Sequence, residues 1–182
     1  RSTLFPYTTL FRSLELVSRE LVGGQIDLST AFKKLKEIGN QALPYTKFQV
    51  TVAATLSAPF FSIMFGGNVY DAFGAAIATL FGFAFSLYVE KFIRIPFVTA
   101  FAGAFVFGLI AQFWARYTGF PSTADLIIAG AVMPFVPGIA LTNAVRDIMT
   151  NHINSGMSKM FESLLITLAL GAGTSVALVL MT

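Results

Sequence analysis

Residues 70–89 read YDAFGAAIATLFGFAFSLYV, a run in which Asp71 alone is charged. At 1.5 Å per residue a helix of that length reaches ~30 Å, the thickness of a bilayer's hydrocarbon core. Four more such segments can be laid out around it: Phe48 to Gly66, Ile95 to Ala115, Asp125 to Asn143 and Ser163 to Thr182. The breaks carry turn residues and charge: Gly66-Gly67-Asn68, Glu90-Lys91 through Arg94, Arg116 to Ser122, and a polar run after Asn143. Composition points the same way. Apolar residues fill 55% of the 182 positions and charged residues only 12%, with a mean hydropathy of +0.75. A water-soluble domain is about a quarter charged, so a surface this poor in charge is one that lipid can solvate. The expected fold class is all-α: a polytopic membrane helical bundle of about five transmembrane helices, preceded by short amphipathic cytoplasmic helices.

Upstream of the first apolar segment the character changes. Residues 1–13, RSTLFPYTTLFRS, fit nothing that follows, and they translate in frame from a common sequencing-library adapter. They are expected to be non-native, with the natural chain beginning upstream of Leu14. A signal peptide is the wrong reading, because Pro6 interrupts the apolar residues and no continuous apolar run forms. Residues 14–47 are expected to be a truncated cytoplasmic region, and 48–182 a transmembrane domain. Within the former, Leu14, Val17 and Leu21 share one face of a short helix that Gly23-Gly24 stops. A second helix, Leu28 to Ile38, places Leu28, Ala31, Phe32, Leu35 and Ile38 at helical spacing, with Lys33, Lys34 and Lys36 elsewhere. Asp27 or Ser29 can cap its start, and Gly39 can end it.

The basic residues orient the segments. Arg1 and Arg12 aside, nine of the remaining ten fall on the N-terminal side of the membrane: Arg19, Lys33, Lys34, Lys36, Lys47, Lys91, Arg94, Arg146 and Lys159. Only Arg116 falls on the other. Basic loops stay in the cytoplasm, so the N-terminus is expected inside and the C-terminus outside, with Trp114 and Tyr117 at the outer interface. Within the second segment Gly74, Ala78, Gly82 and Ser86 recur every fourth residue, a stripe on which another helix can approach closely.

Chemistry has few places to reside. No segment carries an ionisable residue at its centre, and Asp71, Arg116 and Asp125 read as solvated positions near the headgroups. There is no Cys, a single histidine (His152), and no paired carboxylates, so no catalytic or metal site, no cofactor and no nucleic-acid partner is expected. Polar groups concentrate in and after the fourth segment: Pro137 and Gly138 beside Pro134, then Asn143, Arg146, Asp147, His152, Asn154 and Gly156. Two prolines three residues apart should break a helix near mid-membrane. Freed backbone groups at that depth are tolerated only inside protein or against a wet cavity, and transporters use such breaks to bind solutes. A plain proline kink without a ligand fits the same residues. Asn143, Arg146 and Asp147 share one helix face, which suits either both ends of an amino acid or a local ion pair at a helix end.

Val136-Pro137-Gly138, then Asn143, Asp147, His152-Ile153-Asn154 and Gly156, with an apolar segment close behind, resemble the bacterial threonine/serine exporter family, in particular its N-terminal membrane half. The upstream layout is similar too: a short amphipathic helix, an approach to the first span through Tyr45, and five spans. The resemblance covers Leu14 to the end. It implies outward transport of threonine and serine across the bacterial cytoplasmic membrane, driven by the membrane potential or a proton gradient. Some members instead look like one component of a two-protein dicarboxylate exporter. Five spans would leave a second half of like topology to insert upside down, supplied here by another chain, with a site at the interface. The expectation is that the broken fourth helix with Asn143 and Asp147 forms half of that site, Asp147 being the ammonium or proton partner. A passive channel and a non-transporting scaffold remain open.

Overall fold

The computed structural model describes residues 15–24, 26–39 and 46–181. The chain divides into two compact units, Arg1–Thr46 and Lys47–Thr182. The expectations for residues 1–13, Leu14, Tyr45 and Thr182 lie outside the described residues.

In the first unit α1 (15–22) and α2 (Leu28–Gly39) form where the apolar spacing placed them. Val17 and Ala31 are buried, and Lys34 Nζ meets Glu20 Oε2 at 2.6 Å to tie the two helices. Asp27 opens α2: its carbonyl accepts from the Ala31 amide at 2.9 Å. The Ser29 hydroxyl, 2.9 Å away, and then the backbone amides of Leu28 and Ser29 hold its carboxyl below the usual carboxylate range. Leu28 and Phe32 stay exposed.

The second unit is all-helical. It comprises α3 (Lys47–Met64), α4 (Val69–Glu90), α5 (Pro96–Tyr117), α6 (Ala124–Val132), a 3-10 turn (Met133–Phe135), α7 (Gly138–Met149) and α8 (Ile153–Met181), and no strand occurs among the described residues. Helices α4, α5 and α8 are each long and apolar enough to cross a membrane, and α6 with α7 is a fourth crossing if that bent pair is one span. This is a membrane protein with three to four candidate crossings, where the sequence led to about five. The difference lies in α3, whose 18 residues open on Lys47 and Gln49 and dilute its apolar character.

Small residues set how closely the helices lie. A Cβ on Gly74 would stand 2.8 Å from Ile127 Cδ1, and one on Gly82 3.0 Å from the Gly103 carbonyl oxygen. Ser86 donates to the Thr99 carbonyl at 3.0 Å. The four-residue stripe of α4 therefore packs on α5 and α6, as expected of it. The opposite face of α5 takes α8 in the same way: a Cβ on Gly173 would come within 2.5 Å of the Phe101 carbonyl oxygen, and one on Gly108 within 2.8 Å of Ala177 Cβ. Absent side chains let backbones meet, and dispersion supplies the attraction that lipid cannot. Helix α3 runs antiparallel to α4, with Lys47 Nζ on Glu90 Oε2 at 3.0 Å at one end. At the other end Gly66, at φ +95°, makes a turn that a side chain would strain.

Two sequence expectations are corrected. Asp71 is not a solvated headgroup position but is 1% exposed. Its carboxylate accepts from the Asn68 amide at 2.8 Å and the Thr123 amide at 2.7 Å, while its own amide donates to Asn68 Oδ1 at 2.9 Å. Asn68 Nδ2 also donates to the Pro121 carbonyl. Orphan amides at two helix starts thus take the place of water around the charge, which makes burial tolerable. The second correction concerns the polar run after Asn143, which is helical: α7 continues to Met149 and α8 begins at Ile153. The expected last span, Ser163 to Thr182, is as far as Met181 the apolar part of a 29-residue helix, Ile153–Met181. Asn151, at φ +65°, reverses the chain within a few residues, and the Thr150 hydroxyl closes the end of α7 on the Arg146 carbonyl at 3.0 Å. Asparagine is among the few residues that tolerate that left-handed conformation.

Candidate functional site

The break expected at Pro134 and Pro137 is present. Pro134 has no amide to offer the Gly130 carbonyl, and Pro137 none for Met133, whose carbonyl takes the Val136 amide at 3.2 Å instead. The chain tightens into the 3-10 turn, extends at Val136 (ψ 125°), and restarts as α7 at Gly138. The two halves differ in direction by 55°. Phe135 wedges the kink in place, its ring 5.4 Å from both Phe83 and Phe107. Gly103 makes the room, since a Cβ there would sit 2.8 Å from Phe135 Cε1. Gly138, just past the break, faces open space.

A polar cluster forms at the far end of α7, ten residues and ~15 Å of helix from Pro137. Asp147 Oδ2 is 2.6 Å from Lys159 Nζ on α8 and accepts from the Ser155 hydroxyl at 3.3 Å. The His152 amide donates to the Asp147 carbonyl at 2.9 Å, and its ring Nδ1 lies 3.2 Å from the Thr150 hydroxyl. Gly156 permits this hairpin: a Cβ there would meet Ile148 Cγ1 at 2.6 Å and the Ala144 carbonyl oxygen at 2.7 Å.

The structure therefore gathers Asp147, His152 and Gly156, and leaves Pro137 and Gly138 at the opposite end of α7. Asn143, Arg146 and Asn154 are exposed and take no part in the ion pair. Arg146 shares a face with Asp147, yet the aspartate's cation is Lys159. Sequence reasoning missed Lys159 because the polar run was read as a loop. Chemically, an open carboxylate–ammonium pair can trade partners with the two ends of a zwitterion. Among the described residues no group of three His, Asp or Glu side chains is placed to hold a metal ion.

Comparison with known proteins follows the same stretch of chain. The threonine/serine exporter family matches over residues 8–181. A protein of Escherichia coli (strain K12) named "Probable succinate transporter subunit YjjP" is 29% identical over 161 residues, covering 84% of this chain and 59% of that protein. Its namesake from Klebsiella aerogenes is 27% identical over 161 residues, covering 84% of this chain and 58% of that protein. The chain spans under three fifths of the length of these curated relatives. No solved structure matches it. Since the family match runs through the broken helix and the α7–α8 hairpin alike, the chain belongs to the threonine/serine exporter family.

Proposed function

We propose that the chain is the membrane part of a secondary exporter that carries small polar amino acids, threonine and serine, out of the bacterial cytoplasm. The observation behind this reading is the 55° break between α6 and α7, leading to the open Asp147–Lys159 pair. In it α3 supplies the fifth crossing, its 18 residues reaching ~27 Å. Lys47, Lys91 and Arg94 sit at one end of the bundle and Arg116 at the other, which suits a cytoplasmic N-terminus in the inner membrane.

The solute's ammonium replaces Lys159 on Asp147, and its carboxylate takes the released Lys159 or Arg146, which has no acidic partner within salt-bridge distance among the described residues. Such an exchange conserves charge, so the site is never left with an isolated ion. Asn143, His152 and Asn154 offer hydrogen bonds nearby, Gly156 keeps the hairpin tight, and Pro137-Gly138 form the joint on which α7 turns. A second, inverted membrane half from another chain completes the pathway. The names of the two relatives favour a second reading, a subunit of a two-protein dicarboxylate exporter, in which Arg146 and Lys159 take the two carboxylates.

Efflux from vesicles containing the full-length protein tests both. Under the first reading Asp147→Asn lowers gradient-driven threonine efflux at least about tenfold. Unchanged threonine efflux sinks the assignment of Asp147. Succinate efflux that needs a second membrane protein selects the dicarboxylate reading, and conductance without coupling to a gradient selects a channel.

A further inference from the structure

Away from the α7–α8 hairpin, the start of α3, the end of α4 and the start of α5 enclose a cleft of about 470 Å³. Lys47, Lys91 and Arg94 line it with a single carboxylate, Glu90, and that carboxylate is already engaged by Lys47 at 3.0 Å. Lys91 and Arg94 have no acidic partner within salt-bridge distance among the described residues, so the cleft carries an excess of two positive charges. Its remaining wall includes Ile95 and Pro96, and the exposed ring of Phe92 stands in the same connection between α4 and α5.

The position is as telling as the charge. Lys91 follows the last residue of one apolar helix, and Pro96 opens the next, so the cleft sits where helices leave the hydrocarbon. An occupant held there meets cations on one side and apolar groups on the other. A freely dissolved anion uses only the first. An amphiphile with a phosphate at its head uses both, and basic pockets between membrane helices are suited to such headgroups. The planar fork of Arg94 matches phosphate oxygens in pairs, while Lys91 adds a point charge. We propose that this cleft binds the phosphate headgroup of an anionic phospholipid, with Lys91 and Arg94 as its ligands and Glu90 holding Lys47 in reserve. The proposal does not rest on the transport reading, because it involves other residues and needs no solute.

The test uses the full chain purified in detergent, with phosphatidylglycerol, phosphatidylcholine and inorganic phosphate as probes, followed by native mass spectrometry and thermal melting. Phosphatidylglycerol is expected to remain bound and raise Tm, while phosphatidylcholine does neither. Lys91→Gln/Arg94→Gln is expected to weaken phosphatidylglycerol binding roughly 20-fold, and Glu90→Gln, which frees Lys47, to tighten it about fivefold. Lys33→Gln/Lys36→Gln removes the same charge from α2 and is expected to leave binding unchanged. The Glu90 and α2 variants keep the proposal testable if the double cleft variant fails to fold. Equal binding by the α2 and cleft variants overturns it. So does equal retention of phosphatidylcholine, or displacement of the lipid by millimolar inorganic phosphate, which would make the site one for free phosphate.

Discussion

Helices α4, α5 and α8 meet through what their side chains lack, whereas α6, α7 and the start of α8 are organised by what theirs carry. In the first region glycines and alanines bring backbones to van der Waals contact, and Phe107 and Leu170 fill the remaining space. In the second, prolines interrupt the winding, a phenylalanine wedges the kink, and an ion pair joins the far end. The two designs fail differently. A close-packed crossing has no slack and loses stability when anything is added. The α7–α8 hairpin shares one close contact of that kind, at Gly156, but its exposed ion pair is cheap to open, so substitutions in the pair should alter behaviour more than stability.

The sharpest way to break that contrast is Gly173→Leu. Its new side chain starts 2.5 Å from the Phe101 carbonyl oxygen, so it is expected to cost about 3 kcal/mol or more and to lower Tm in detergent. Gly171→Leu on the same helix, where a Cβ meets nothing within 4 Å, is the control and should change little. Equal losses would mean that close packing is not what distinguishes this region. Next comes Asp71→Ala, which removes the acceptor for the Asn68 and Thr123 amides and should cost about 2 kcal/mol. Proteolysis between 116 and 122 should quicken with it. Lys159→Gln is expected to cost less than about 1 kcal/mol while reducing efflux, since the lysine side chain is itself nearly half exposed. A stability loss as large as that of Gly173→Leu would erase the comparison. The smallest stability change is expected for Pro134→Ala/Pro137→Ala, within about 1 kcal/mol, but spin labels at Asp125 and Met149 should move about 4 Å apart as the bend relaxes.

Legibility followed the same divide. The run from Tyr70 to Val89 became α4, Val69–Glu90, because hydropathy, length and bounding turns all agree there. The small-residue stripe and the proline break were readable too, since both are local properties of one segment. What could not be read were pairings between segments. Nothing near Asp71 announces that the Thr123 amide will reach it, fifty-two positions away. Nothing in the polarity of residues 144–162 separates a solvated loop from a helical hairpin, because a helix that packs on only one neighbour keeps most of its polar residues in water. The α5–α8 crossing escaped for a related reason: Gly108 and Gly173 each look like an isolated helix glycine until the other is brought alongside.

Helix α8, at 29 residues, is ~43 Å long, well beyond what the hydrocarbon layer requires. Its tightest crossing, at Gly173, lies nearer its C-terminal end, so any tilt of the helix about that point would act on two unequal arms. Lys159 rides the long arm, ~21 Å from that fulcrum, and Met181, whose carbonyl accepts from Arg116, rides the short one. Rotation by ~10° would sweep the ammonium through ~4 Å while shifting the opposite tip by only about half as much. Leverage of this kind would couple the two ends of α8 mechanically, without any flexible segment between them.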